Sequence, residues 1–91
     1  MAQVSRDVTI VNRLGLHARA AAKLVNLAGR FSARIELVTA AKRADAKSIM
    51  SVLMLAATKG TELKLDADGD DAEAAAQEIA ALIADCFGEG E

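Results

Sequence analysis

Two hydrophobic periods alternate along this chain, and their order restricts the fold more than any single motif does. In some stretches apolar residues recur at every second position, as in a half-buried strand, and in others they recur at helical spacing. Over the 91 residues the patterns run strand, helix, strand, strand, helix, strand, helix, with no proline to interrupt them. A chain of this length forms one domain with one core. We therefore predict an α+β fold in which helices cover one face of a sheet and leave the other exposed.

The strand patterns place apolar side chains on one side of each predicted strand. They occupy residues 4–10, 32–37, a short segment that begins between residues 38 and 43, and residues 62–66. Arg6 interrupts the first alternation, which indicates an edge strand or a frayed strand end. The acidic residues 66–71 predict a turn into a helix, whose N-terminus favours negative charge. They do not continue into the twelve-residue pattern of a calcium-binding loop.

Each helix pattern has one apolar stripe. The stripe of the first helix, residues 17–28, consists of Ala20, Ala21, Leu24 and Ala28. Gly29 ends this helix, and Ser48 is a suitable N-cap for a short second one. The final helix is predicted to bury Ala72, Ala75, Ala76, Ile79, Leu82, Ile83 and Cys86. Residues 1–88 thus form the predicted domain, and residues 89–91 a frayed tail.

The composition excludes several classes of protein. Hydrophobic residues make up 53% of the chain, yet no run approaches the ~20 apolar residues that span a bilayer, so we expect no membrane insertion. The N-terminus has no secretory signal pattern, and we expect a cytoplasmic protein. The one cysteine, Cys86, is predicted to be a buried, inert thiol rather than a nucleophile. One cysteine and one histidine cannot form a protein-only zinc site.

Charge is distributed unevenly along the chain. Residues 1–60 contain ten Lys or Arg and three Asp or Glu, whereas residues 61–91 contain one and ten. The basic part suits an anionic partner, either a phosphoryl group or a nucleic acid. The chain has no Trp or Tyr, and Phe31 and Phe87 are far apart, so it lacks a platform on which bases stack. We therefore do not expect nucleic-acid binding.

The only histidine, His17, lies where a strand pattern ends, Gly15 turns the chain and a helix begins. The first turn of a helix presents unpaired N–H groups and the positive end of its dipole, which together bind phosphate. A neutral imidazole can act as a nucleophile, and Arg19 has a permanent charge and a planar fork that matches phosphate oxygens. The alternative interpretation of a single histidine here is a surface residue or a partial helix cap.

The segment around His17 resembles a known active-site signature. The string Gly15-Leu16-His17-Ala18-Arg19-Ala20-Ala21-Ala22-Lys23 is similar to that of the histidine-containing phosphocarrier family, HPr, of the phosphoenolpyruvate-dependent phosphotransferase system. The string Lys47-Ser48-Ile49-Met50-Ser51-Val52-Leu53 resembles a second family segment at the family's distance. The resemblance implies an open-faced β-sandwich with a four-stranded antiparallel sheet and three helices on one face. It also implies a monomer without metal or cofactor.

The resemblance further implies a role for each site residue. His17 would accept a phosphoryl group from phospho-enzyme I and pass it to a histidine of a phosphotransferase-system A domain or a regulatory acceptor. The protein would then be a transfer intermediate rather than a conventional enzyme. Arg19 and the amides after His17, including that of Ala18, would bind the phosphoryl oxygens. The alternative is a regulatory binding module of the same fold, which partners read through phosphorylation of His17 or Ser48.

A second set of residues matches the family's docking surface. This set consists of Ile49, Met50, Leu53, Lys23 and Lys47. In the short helix we expect Val52 and Leu55 in the core and Met50 and Leu53 at the surface, where a flexible thioether suits several partners. The alternative places all these apolar residues in the core. Ser48 has three possible roles: helix cap, partner contact, or substrate of an HPr serine kinase/phosphorylase.

Ala20 departs from the family pattern, because many members have a proline directly after the arginine. Proline suits the first turn of a helix, but alanine has the highest helix propensity. The run Ala20-Ala21-Ala22 resembles variants from nitrogen-related or reduced phosphotransferase systems of proteobacteria. Sugar transport and a regulatory nitrogen branch therefore both remain open.

Overall fold

The computed structural model describes residues 3–89, which form four strands and three helices. The strands are β1 (Gln3–Thr9), β2 (Arg34–Val38), β3 (Arg43–Asp45) and β4 (Glu62–Asp68), and the helices are α1 (Ala18–Ala28), α2 (Ile49–Met54) and α3 (Ala72–Ala84). The strands lie in the order β1-β4-β2-β3, and each neighbouring pair is antiparallel. This arrangement confirms the predicted α+β fold. None of the helices in this part of the chain is long and apolar enough to cross a membrane.

The sheet has one apolar and one polar face, because successive side chains of a strand point to opposite sides. Five buried strand residues form one core with the stripes of α1 and α3: Ile35, Leu37, Leu63, Leu65 and Ala67. On the other face, ion pairs join Lys64 to Asp7 and Arg43 to Glu36, each at 2.7 Å. Exposed pairs of this kind add little to stability, because water and salt screen the attraction. The sheet is therefore stabilised mainly through its apolar face.

The predicted stripe of α1 is confirmed, that of α3 is confirmed in part, and the first strand is an edge strand, which is one of the two alternatives that Arg6 indicates. All four stripe residues of α1 are fully buried, and so are Ala72, Ala75, Ala76 and Ile79 of α3. Leu82 is only half-buried. β1 borders β4 alone, and Arg6 extends from it to Glu73 at the start of α3, with 3.3 Å between the charged groups.

The last strand is longer than predicted. β4 continues past Asp66 to Asp68, because Ala67 is buried in the core and pairs with both Val4 and Ile35 in the neighbouring strands. The turn into α3 therefore begins only at Gly69, whose φ of +147° lies in a region that glycine alone adopts readily.

The prediction for Cys86 is wrong, because α3 ends at Ala84 before reaching it. Cys86 belongs to a short 3₁₀ turn, Cys86–Gly88, and its φ of +54° turns the chain out of the helical direction. The thiol is half-buried rather than packed on the helix stripe. Phe87, the next residue, is fully buried in the core instead.

Candidate functional site

A tight loop between β1 and α1 determines where His17 lies. Gly15 has a φ of +67°, and the N–H of Leu16 donates to the carbonyl of Ala57 at 2.9 Å, which fixes the loop against the segment after α2. The carbonyl of Gly15 accepts two hydrogen bonds, from the backbone N–H of His17 at 2.9 Å and from Nδ2 of the buried Asn12 at 2.8 Å. The backbone of His17 is therefore held from the loop side as well as from the helix.

His17 is the N-cap of α1, which begins at Ala18, one residue after the helix start that the sequence predicts. Its backbone is extended, with φ −76° and ψ 175°, and its carbonyl accepts the first helical hydrogen bond from Ala21 at 2.8 Å. Its side chain makes no capping bond, so the imidazole is available for other contacts. The ring lies at the positive end of the helix dipole, where an anion is favoured.

Glu89 completes the site, although the sequence analysis assigns it to a frayed tail. Its Oε1 lies 2.9 Å from Nε2 of His17, and its Oε2 accepts a hydrogen bond from Nε of Arg19 at 2.8 Å. Lys23 contacts the same segment: Nζ donates to the carbonyl of Phe87 at 2.8 Å and lies 3.8 Å from Oε2 of Glu89. The glutamate side chain is only 14% exposed. At Glu89 the structure thus differs from the expected fraying, and residues 90 and 91 of the predicted tail lie outside the described residues.

The electrostatics of this cluster favour an ionised carboxylate. The hydrogen bond with His17 holds the pKa of Glu89 below its ordinary value of 4.5, although burial opposes this, and the charges of His17 and Arg19 act in the same direction as the hydrogen bond. An ionised carboxylate can only accept hydrogen bonds. Nε2 of a neutral His17 ring must therefore carry the hydrogen, and the free lone pair must be on Nδ1.

Arg19 is oriented by the same carboxylate. Only its Nε contacts Glu89, and its Nη groups make no hydrogen bond with any residue between 3 and 89. Its side chain is 70% exposed. A pocket of about 120 Å³ lies beside it, lined by Arg13, Leu14, Arg19 and Glu89. The site thus combines a nucleophilic nitrogen, a helix start and a guanidinium group around an open, cationic surface.

The short helix α2 presents an exposed apolar surface. The structure confirms Ser48 as its N-cap, because Oγ accepts the N–H of Ser51 at 3.3 Å. Val52 is fully buried and Met50 is 63% exposed, as predicted. The prediction for Leu53 is wrong: it is half-buried against the core, because it flanks Val52 on a helix that packs on α1 and β3.

The other residues predicted around α2 are divided between surface and core. Ile49 is 41% exposed. Leu55, expected in the core, is half-buried, because it follows the end of the helix. Lys47 Nζ donates to the carbonyl of Phe31 at 2.7 Å.

The comparisons with known proteins agree with this geometry. The family model described as the PTS HPr component phosphorylation site matches residues 4–85. The phosphocarrier protein HPr of Cupriavidus necator is 51% identical over 88 residues, which cover 97% of this chain and 99% of the relative. The phosphocarrier protein NPr of Shewanella violacea is 47% identical, and the match covers 91% of this chain and 91% of the relative. A crystal structure of HPr-C-His from Thermoanaerobacter tengcongensis matches with a TM-score of 0.88 at 42% identity, over 98% of both chains.

The chain therefore belongs to the HPr family of phosphocarrier proteins. Its function is to carry phosphoryl groups in the phosphotransferase system, where it interacts with the enzymes of that system. These relatives support the carrier function and not the alternative of a regulatory binding module.

Proposed function

We propose that His17 carries the phosphoryl group on Nδ1, receives it from a phosphohistidine of enzyme I, and passes it to a histidine of a phosphotransferase-system A domain. The observation that supports this most directly is the contact of Nε2 with Glu89, which leaves Nδ1 as the nucleophilic nitrogen. Position supports it too, because the ring belongs to the N-cap residue of α1.

The transfer needs no acid, base or water. The lone pair of Nδ1 attacks phosphorus, and a new N–P bond forms while the N–P bond of the donor histidine breaks. The electron pair of that bond returns to the donor nitrogen, and the donor is left as a neutral imidazole because its other ring nitrogen keeps a hydrogen throughout. Because the hydrogen on Nε2 stays where it is, no proton has to move. Transfer to the acceptor is the same step in reverse, which suits a carrier whose donor and acceptor are both histidines.

The remaining site residues stabilise charge. The transferred group carries its charge on three equatorial oxygens, and positioning with charge neutralisation supplies most of the catalysis. We assign this role to the Nη groups of Arg19 and to the N–H groups of Ala18 and Arg19 at the helix start. A hydrogen bond to a charged group of this kind contributes about 1.5–3 kcal/mol.

We propose that enzyme I and the acceptors dock on the surface formed by Ile49 and Met50, with Lys23 beside the site. The exposure of both apolar side chains supports this, whereas half-buried Leu53 has a smaller part. Ser48, at the start of the same helix, is the proposed site at which a kinase would regulate docking. We further propose that the protein works as a monomer in the cytoplasm.

Phosphorylation of the purified chain by enzyme I and labelled phosphoenolpyruvate tests the proposal. We expect one acid-labile phosphoryl group per chain, transferable to an A domain, and no label on His17→Gln. Circular dichroism should show that this variant is folded, because the ring makes no capping bond and is not in the core. Label on the folded His17→Gln variant, or none on wild type, would overturn the assignment.

A further inference from the structure

We propose that Glu89 is a positioning residue for phosphoryl transfer: its carboxylate holds the His17 ring with the hydrogen on Nε2 and at the same time orients Arg19. This inference rests on the proposed role of His17 as the phosphoryl acceptor. It gives a function to a residue that lies 72 positions from His17 in the sequence.

The fold brings Glu89 to the site through an unusual turn. Cys86, Phe87 and Gly88 have φ values of +54°, +56° and +75°, so three successive residues are left-handed, two of them with side chains. L-residues adopt this conformation rarely and in isolation. Two contacts maintain the turn: the Phe87 ring is fully buried in the core, and its carbonyl accepts a hydrogen bond from Lys23 at 2.8 Å. Backbone strain that the surrounding packing maintains is typical of functional sites.

The atoms that Glu89 contacts distinguish positioning from inhibition. A carboxylate that occupied the place of the phosphoryl group would bind Nδ1 or the Nη groups of the arginine. Glu89 instead contacts Nε2 of His17 at 2.9 Å and Nε of Arg19 at 2.8 Å. The groups needed for transfer are therefore left available. The contact with Nε2 can also persist after transfer, because phosphorylation of Nδ1 leaves the Nε2 hydrogen in place.

The single histidine makes a direct test practical. Isotope-labelled histidine in the full chain gives one pair of ring nitrogen signals in NMR, because the chain has one histidine. At a pH where imidazole is neutral, wild type should show the signals of a ring protonated on Nε2. Glu89→Ala should show a mixture of tautomers. Glu89→Gln should be intermediate, because its amide oxygen can accept from Nε2 while its amide NH₂ cannot accept from Arg19.

Transfer rates complete the test. Glu89→Ala should lower the rate of phosphoryl acceptance from enzyme I on the order of tenfold, through misorientation of the reacting groups. Glu78→Ala is the matched control, because it removes the same charge from an exposed position of α3. It should change neither the tautomer nor the rate.

An unchanged tautomer and rate in folded Glu89→Ala would overturn the inference. A faster rate would overturn it too, since Glu89 would then be an internal anion that competes with phosphate. Failure of the proposed function has a different signature: wild type itself would take no label, whereas its tautomer signals would be unaffected.

Discussion

Replacing Gly15 by alanine tests whether the loop before His17 needs glycine for space as well as for conformation. A Cβ at this position would lie 2.4 Å from the carbonyl oxygen of Ala57 and 2.9 Å from Cα of Thr58. Both are backbone atoms, so no side-chain rotation can relieve the contact. The loop would have to move away from the 57–58 segment and lose the hydrogen bond from Leu16 to Ala57.

Three contributions determine the expected loss of stability. A left-handed conformation costs a residue with a Cβ roughly 1–2 kcal/mol. The overpacking adds about 1–3 kcal/mol, and the lost hydrogen bond about 0.5–1.5 kcal/mol. We expect Gly15→Ala to lower the free energy of unfolding by about 2.5–6.5 kcal/mol, the sum of these three contributions and a large part of the 5–15 kcal/mol of a typical domain. Phosphoryl acceptance should also slow, because Gly15 positions the backbone of His17.

Gly60→Ala is the matched control. Gly60 also has a positive φ, +91°, but a Cβ there would meet nothing within 4 Å. It should therefore cost only the roughly 1–2 kcal/mol of conformational strain. Urea unfolding followed by far-ultraviolet circular dichroism suits the comparison, because the chain has no Trp or Tyr for fluorescence. Equal losses of stability in the two variants would refute the steric part of the argument.

Three further predictions concern the site, the docking surface and the pH dependence. Arg19→Ala should slow phosphoryl transfer in both directions, and Arg19→Lys should restore only part of the rate, because one ammonium cannot contact Glu89 and the phosphoryl group as a guanidinium does. Ser48→Asp should change the free energy of unfolding by less than about 0.5 kcal/mol, because aspartate also caps helices. It should nevertheless weaken enzyme I binding in titrations, because the new charge lies beside Ile49 and Met50. Asp71 accepts the N–H groups of Ser32 and Ala33 at 2.9 and 2.8 Å, and the bond from Ser32 above all holds its pKa below the ordinary 3.8. The stability that Asp71 contributes should therefore be complete above about pH 3.8 and decline as the pH falls through its lower folded pKa. In urea unfolding, the free energy of unfolding of Asp71→Asn should fall furthest below that of wild type near neutral pH.

Each of these predictions has a result that contradicts it. Full activity of Arg19→Lys would reduce the arginine to a source of positive charge. Equal affinity of enzyme I for wild type and Ser48→Asp would remove Ser48 from the docking surface. The stability difference between wild type and Asp71→Asn should shrink in acid. A difference that stays constant would show that the charge of the carboxylate does not contribute to stability at this position.

The parts of the fold that could be predicted are those determined by local patterns. The stripe of α1 is readable because burial repeats with the helical period, and Ser48 is readable as a cap because its hydroxyl acts on a backbone group three residues away. The sequence pattern misplaces Leu53, because exposure on a helix of only six residues depends on which neighbours flank it. One period of so short a helix does not distinguish a flanking position from an exposed one.

Glu89 could not be predicted, because nothing local marks it as different from the other acidic residues of the C-terminal segment. Its position depends on the end of α3, on three left-handed residues and on the burial of Phe87, which is a tertiary event. One signal could have indicated an anchored segment. Phe87, which follows the last helix, is one of only two aromatic residues of the types Phe, Trp and Tyr in the chain.

The absence of the family's proline at Ala20 is explained by the position of this residue in α1. Ala20 is the third helical residue after the N-cap, and the first intrahelical bond belongs to Ala21, whose N–H donates to His17. A proline at position 20 would thus break no helical hydrogen bond, but it would remove one of the unpaired N–H groups of the first turn. Alanine keeps that donor, and its methyl group is fully buried on the stripe that faces the core. The substitution therefore preserves the packing of α1 and leaves the positive helix end beside His17 with one more N–H than the proline variant would have.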